Sequence, residues 1–195
     1  ALPRLKKLTC KSGTFGTITN AEGMLSRNSS LKTYDISGVD LSSTTTLQAF
    51  FYNDTSLQRI SNSGLQFMNS QNNVTNIDGF IASCEQLSDI DVSHWNTSKV
   101  ESAEGFATNT RSLEFLDLSN WDMTNIQKNG LDKFANPSGV RKLKLGAGFK
   151  FPAYKTFGLP SNKWNHIKNR QVDLHSVDLW SLYDRTPKMT GIWII

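Results

Sequence analysis

The sequence predicts an α/β repeat fold, a right-handed solenoid with a short parallel sheet, units of about 26 residues and a C-terminal cap. Two neighbouring stretches, Leu87–Ser112 and Leu113–Gly139, share the template L-x-x-(I/L)-D-(V/L)-S-x-W with a late phenylalanine. A leucine column recurs once in every unit. A unit of this size cannot bury its apolar face alone, so neighbouring units must stack. The column consists of Leu5, Leu31, Leu57, Leu87, Leu113 and Val140.

Each unit is predicted to open with a strand, because apolar residues occupy its first, fourth and sixth positions. This spacing is typical of leucine-rich repeats, and the third and fifth positions then point outward. These outward positions form a predicted strip across the sheet. The strip consists of Lys7, Thr9, Thr33, Asp35, Arg59, Ser61, Asp89, Asp91, Phe115, Asp117, Lys142 and Lys144. Phe115 is unusual there, because it is a large apolar residue between acids.

Later in each unit, a Val/Ile column and a Met/Phe column are predicted to face the same core from a turn and a short helix on the opposite wall. The Met/Phe column consists of Met24, Phe50, Phe80, Phe106 and Phe134. One unit is longer than the others, and the extra residues are assigned to a loop at 69–73.

The period divides the chain into three predicted parts. Residues 1–30 are an N-terminal capping repeat, 31–151 the leucine-rich-repeat solenoid, and 152–195 a basic, aromatic C-terminal capping segment. The alternative for the last part is a separate binding subdomain. Cys10 and Cys84 fall on different walls and in different units, so buried free thiols are expected rather than a disulfide.

Composition limits the class of protein. The chain has 195 residues, 37% of them hydrophobic, but no apolar run of about 18 residues, so no membrane insertion is expected. It also lacks a signal peptide and an anchoring tail, which favours a mature fragment of a longer protein. Residues 141–195 hold ten of the 21 Lys and Arg and three of the 17 Asp and Glu, so this end is basic. Such asymmetry concerns partners and not the fold.

The phrases IDVSHWNTSKV and LDLSNWDMTNI resemble the repeats of BspA-like leucine-rich-repeat surface proteins of bacteria. KLKLGAGFKF, Gly158-Leu159-Pro160, Trp164, Tyr183-Asp184 and Gly191-Ile192-Trp193 are similar to the segment that follows such repeats in lactobacilli. The resemblance implies an extracellular domain on a Gram-positive cell surface. It also implies adhesion to host mucus, to extracellular-matrix glycoprotein or to acidic glycans.

Two sets of residues are candidates for ligand binding. The basic set would attract sulfated or sialylated glycans, and it consists of Lys142, Lys144, Lys150, Lys163, Lys168 and Arg170. The second set comes from the strip and consists of Arg59, Asp89, Asp91, Phe115 and Asp117. For both sets the alternative is a solvated face without a ligand.

Two repeated columns have a structural and a functional interpretation. Asp35, Asp91 and Asp117 each precede a serine and a turn, where a carboxylate accepts hydrogen bonds from local backbone amides. The alternatives are contact with a ligand, Ca²⁺ binding or catalysis. Trp95 and Trp121 are expected to pack in the core, the alternative being a platform for sugar rings.

The sequence contains no nucleotide-binding loop, paired-cysteine zinc motif or nucleophile elbow. We therefore expect a non-enzymatic domain without a cofactor or metal, monomeric as an isolated fragment and without a nucleic-acid partner. Two alternatives remain. One is a structural spacer that presents another domain, and the other is a carbohydrate-active enzyme that uses Asp91 and Asp117 on an acidic polysaccharide.

Overall fold

A computed structural model describes residues 4–11, 16–61, 68–151, 158–160, 164–166 and 191–194. Seven short strands in this part of the chain form two small sheets. The strands are β1 (Lys7–Thr9), β2 (Thr33–Asp35), β3 (Arg59–Ile60), β4 (Phe115–Asp117), β5 (Lys142–Leu145), β6 (Asn165–His166) and β7 (Gly191–Ile194).

The first sheet is parallel, in the order β1-β2-β3. Leu8 is paired with Tyr34, and Tyr34 with Ile60, so each strand is displaced from the next by one repeat unit. These three residues belong to the apolar column predicted at the fourth position of each unit. The period of the sequence therefore becomes the register of the sheet.

The second sheet has the order β4-β5-β7-β6 and is mixed. The β4–β5 pair is parallel, whereas β7 runs antiparallel to both β5 and β6. Residues 87–92 lie between the two sheets in the sequence and form no strand. The predicted single strip is consequently divided into two faces.

On the opposite wall the chain forms a turn ladder, which comprises residues 21–27, 47–53, 77–83 and 103–109. Within each turn, alternate N–H groups donate to the next unit. Gly105 N donates to Asp132 O at 2.9 Å and Ala107 N to Phe134 O at 2.7 Å. The N–H of Phe106 between them donates to Ala103 O, in the same turn.

The prediction of an α/β solenoid with a short helix in each unit is wrong. No helix occurs in the described ranges, and the short strands form two small sheets instead of one. Two features of the turns exclude a helix. Gly105 and Asn109 have positive φ values of 59° and 61°, and Gly79 and Ser83 have positive φ at the same places one unit earlier. Half of the donors also bond to a neighbouring unit, so the i→i−4 pattern of a helix cannot form.

Stacked aromatic rings form the centre of the core. Phe106 is parallel to Phe80 and to Phe134, with ring centroids 5.7 and 5.2 Å apart and interplanar angles of 7° and 8°. Trp95 and Trp121 stack in the same way at 5.8 Å and contact the phenylalanines edge to face. All five rings are buried, and they hold consecutive units in register.

Candidate functional site

The most distinctive exposed face lies on β4 and β5. Phe115 is 39% exposed, one of two large exposed apolar side chains in the described residues, together with Tyr52. It is in parallel register with Lys142, whose side chain is also exposed. The fourth-position residues of both strands, Leu116 and Leu143, are buried beneath them. An aromatic ring and a cation thus occupy neighbouring outward positions on a rigid strand pair.

Two other lysines of the basic set are engaged by acids of the preceding unit. Lys144 Nζ lies 2.7 Å from Asp117 Oδ2, and Lys150 Nζ lies 2.5 Å from Asp122 Oδ2. These ion pairs neutralise much of the positive charge predicted for this face. Lys142 has no ion pair with any of the described side chains, and its register partners are Phe115 on β4 and Ile194 on β7, both apolar.

The remaining predicted site residues do not join this face. Arg59 is exposed on β3, in the first sheet. Asp89 is exposed and Asp91 half-buried, both outside any strand. Three residues of the basic set, Lys163, Lys168 and Arg170, lie outside the described residues. Among the predicted site residues that the structure describes, β4 and β5 bring together Phe115, Asp117, Lys142 and Lys144, and Lys150 follows β5 in an ion pair of its own.

The aspartate column has the predicted structural role. Asp91 Oδ1 accepts hydrogen bonds from the N–H and the hydroxyl of Ser93, at 3.1 and 2.7 Å. Asp35 and Asp117 bond their own i+2 serines in the same way. The donors at Ser93 lower the pKa of Asp91, most strongly the hydroxyl, with His94 contributing further. These carboxylates hold the turn that follows each strand position.

Trp95 and Trp121 are 0% and 1% exposed, which confirms the prediction that they pack in the core. The indole N–H of Trp121 donates to Val92 O at 2.8 Å, in the preceding unit. Buried rings of this kind cannot offer a face to a sugar.

A second concave surface, not predicted from the sequence, follows the turn ladder. A cavity of about 390 Å³ lies between Tyr52 and Glu104, and an adjoining one of about 270 Å³ reaches Lys128. Arg27 covers the Tyr52 ring, with its guanidinium carbon 5.9 Å from the ring centre. Asp78, in the wall, already accepts bonds from Ser102 Oγ at 2.6 Å and Glu104 N at 2.7 Å. The central acid of this surface is therefore already occupied by hydrogen bonds within the protein.

The described residues contain no group of three His, Cys, Asp or Glu side chains placed to hold a metal ion. They also contain no helix long and apolar enough to cross a bilayer.

A family model described as Mycoplasma protein of unknown function, DUF285, matches residues 19–142, more than half of the chain. The chain belongs to this family. No curated protein and no solved structure matches it. The match ends at Lys142, so it includes all of β4 but only the first residue of β5. Membership of the BspA-like leucine-rich-repeat family is not shown.

The DUF285 domain also contains a buried polar cluster that the sequence analysis missed. Asp54 is fully buried, accepts a bond from Asn28 N at 2.6 Å and lies 2.7 Å from the Tyr34 hydroxyl oxygen. A signal for it exists in the sequence. The residue three before each column leucine is polar or small, namely Asn28, Asp54, Cys84 and Thr110. Asp54 is the only acid among these four residues, and this difference is the signal for the buried cluster.

Proposed function

We propose that this DUF285 domain is a non-catalytic adhesion module on a bacterial cell surface. Its ligand would be an acidic glycan on host mucin or extracellular-matrix glycoprotein. The single observation that carries the proposal is the pairing of exposed Phe115 with exposed Lys142 on β4 and β5. The resemblance of the repeats to bacterial surface proteins supports the cellular location.

The chemistry of the pair fits a sialylated or sulfated sugar. An aromatic ring offers an apolar surface to the C–H face of a pyranose, as aromatic side chains do at many interfaces. A lysine ammonium beside it is a point charge for a carboxylate or sulfate. Because Lys144 and Lys150 are already paired with Asp117 and Asp122, Lys142 is the unpaired cation among the described residues of the basic set.

A site of this size binds weakly, since one ring and one cation bury little surface. Useful adhesion would then come from many sites acting together, as mucin offers many glycans and a cell many copies of the domain. The charged part of the interaction should weaken with salt, because the Debye length falls from about 10 Å at 0.1 M to about 3 Å at 1 M.

The test is binding of the wild-type domain to immobilised mucin across a salt series, beside Phe115→Ala, Lys142→Gln and the double variant. The expected result is salt-sensitive binding that each single change lowers severalfold and the double change abolishes. Arg59→Gln is the matched control, since Arg59 is an exposed cation on the other sheet. Treating the mucin with sialidase or sulfatase identifies the acidic group.

Two outcomes would contradict the proposal. Binding unaffected by Phe115→Ala and Lys142→Gln would place the site elsewhere on the chain. Absence of binding to mucin and to matrix glycoproteins by the folded domain would favour the spacer alternative. Circular dichroism of each variant checks that a lost signal reflects a lost contact and not unfolding.

A further inference from the structure

The buried cluster around Asp54 joins neighbouring units through polar groups. Asp54 Oδ1 accepts from the backbone N–H of Asn28, in the preceding unit, at 2.6 Å. Asp54 Oδ2 lies 2.7 Å from the hydroxyl of Tyr34, which is 1% exposed. In the part of the chain that the structure describes, no cation forms an ion pair with Asp54. The carboxyl group is thus hydrogen-bonded but has no compensating positive charge.

The hydroxyl of Tyr34 has three polar neighbours. It lies 2.9 Å from Leu25 O, 2.7 Å from Asp54 Oδ2 and 3.0 Å from Asn28 Nδ2. Asn28 Nδ2 can only donate, so Tyr34 accepts from it. Leu25 O can only accept. A phenol has one proton to donate, and it cannot serve both Leu25 O and an ionised Asp54.

A proton on Asp54 resolves this conflict. Protonated Oδ2 would donate to the Tyr34 oxygen, and the Tyr34 hydroxyl would then donate to Leu25 O. Every neighbour of the hydroxyl would be matched, with one bond donated and two accepted. With Asp54 ionised, the hydroxyl turns to the carboxylate and Leu25 O keeps only the bond from Asn28 Nδ2, at 2.8 Å, while a negative charge remains in the core.

We propose that Asp54 takes up a proton in mildly acidic medium, and that the protonated carboxyl group completes a hydrogen-bond relay through Tyr34 to the Leu25 carbonyl. The relay stabilises the contact between the first two units of the stack. Its action is independent of the proposed glycan site, since Phe115 and Lys142 belong to the second sheet.

The surroundings support uptake near physiological pH. Burial raises the pKa of Asp54 to about 6, although the bonds from Tyr34 and Asn28 act in the opposite direction. Two other titratable groups face this carboxyl, Tyr34 on β2 and Cys84 from the next unit. Burial raises the pKa of both, so both stay neutral in this range. Cys84 Sγ donates to Phe51 O at 3.0 Å and provides no charge to Asp54.

Protonation of Asp54 stabilises the folded domain at low pH. The pKa of Asp54 is higher in the folded state than the ordinary value of 3.8, so the folded state holds the proton more tightly. The stabilisation is complete below pH 4 and is lost as the pH rises through about 6. A shift of this size corresponds to an increase in the unfolding equilibrium constant on the order of a hundredfold between pH 4 and pH 8.

The direct test is an NMR titration of the Asp54 side-chain carboxyl carbon in the wild-type domain, with urea unfolding at pH 4.5 and pH 8. Asp54→Asn is the informative variant, since an amide keeps the size and stays neutral. The expected results are a midpoint near 6 and a wild-type stability loss at pH 8 that Asp54→Asn removes. Asp40→Asn is the matched control, an exposed acid bonded to Ser42 N at 2.9 Å, and should leave the loss in place.

A carboxyl midpoint at or below 4 would overturn the proposal, and so would an unchanged pH dependence in Asp54→Asn. Should Asp54→Asn fail to fold, the wild-type titration still decides. Tyr34→Phe gives a second readout. It removes the hydroxyl but not the burial, and because the Tyr34 bond holds the pKa of Asp54 down, the midpoint should rise.

Discussion

Lys144 and Asp117 face each other across the β4–β5 pair, with Nζ 2.7 Å from Oδ2, while Phe115 and Lys142 are paired two positions earlier. Two lysines on one short strand therefore have different surroundings. One is matched by an acid and the other by an aromatic ring. Their charges should contribute differently to binding and to stability.

We predict that Lys142→Gln lowers mucin binding more than Lys144→Gln does, because only the first removes a free charge. Lys144→Gln should lower the free energy of unfolding by less than about 1 kcal/mol, as expected for a partly exposed ion pair. Lys144→Glu should cost more, since like charges would then face each other across the strands. Binding assays and urea unfolding of the three variants measure both effects. Equal loss of binding from the two Gln variants would contradict this view of the face.

The aromatic stack should dominate stability. Phe106 lies between Phe80 and Phe134 and touches both tryptophans, so Phe106→Ala should lower the free energy of unfolding by about 3–5 kcal/mol. Phe106→Leu leaves a smaller cavity and should cost less. Phe115→Ala is the control, because that ring is partly exposed, and it should cost under about 1 kcal/mol. If Phe106→Ala and Phe115→Ala lowered the free energy of unfolding by similar amounts, the aromatic stack would not be the main source of stability.

Backbone conformation in the turn ladder gives a prediction of opposite sign at two equivalent positions. Gly79 and Ala49 both have positive φ, 57° and 54°. Because an L side chain is disfavoured there, Ala49→Gly should raise the free energy of unfolding by up to about 1 kcal/mol. Gly79→Ala should lower it by about 1 kcal/mol through the positive φ alone, because the added Cβ would meet only the Ala82 side chain, at an ordinary contact distance of 3.7 Å. Thermal or urea unfolding measures both, and destabilisation by Ala49→Gly would refute the argument.

The turn-capping acids should set the acidic limit of stability. Hydrogen bonds from Ser37 and Ser93 lower the pKa of Asp35 and Asp91. The folded pKa lies below the unfolded one, so their stabilisation is present above pH 4 and is lost as the pH falls through the folded pKa. Asp91→Ala should therefore reduce the pH dependence below pH 4, as measured by urea unfolding across that range. Asp91→Asn, which keeps an acceptor for Ser93, should destabilise less than Asp91→Ala at neutral pH.

Part of this architecture could be predicted from the sequence. The apolar column places Leu8, Tyr34 and Ile60 one unit apart, and the first sheet pairs them. The serine two residues after Asp91 predicted the turn cap that the structure shows. The helix was predicted wrongly because apolar residues such as Phe106 and Ala107 suggest a packed helical face. The spacing of apolar residues does not determine which backbone groups bond to each other. Those partners are in the next unit, and left-handed residues such as Gly105 permit the connection.

Only part of the candidate site on β4 and β5 could be predicted from the sequence. Alternation along strands predicted that Phe115 and Lys142 point outward, which the structure confirms. It could not predict that Lys144 and Lys150 would pair with Asp117 and Asp122, because salt bridges depend on side-chain reach across units. Asp54 was missed because a burial pattern based on apolar residues assigns acids to the surface.

The two walls of the molecule tolerate changes in chain length differently. Thr46 is bridged to Asn76 across the lengthened unit, and Asn76 to Ser102 across a unit of ordinary length, yet the turn ladder continues without a break. Equivalent positions of neighbouring units are therefore paired in the ladder, whatever the number of residues between them. A foreign peptide spliced into the exposed residues 69–71 would lengthen a unit that is already longer than its neighbours while leaving the Phe80 and Phe106 rings in contact. That segment is accordingly a natural insertion point for an epitope tag or a second binding sequence.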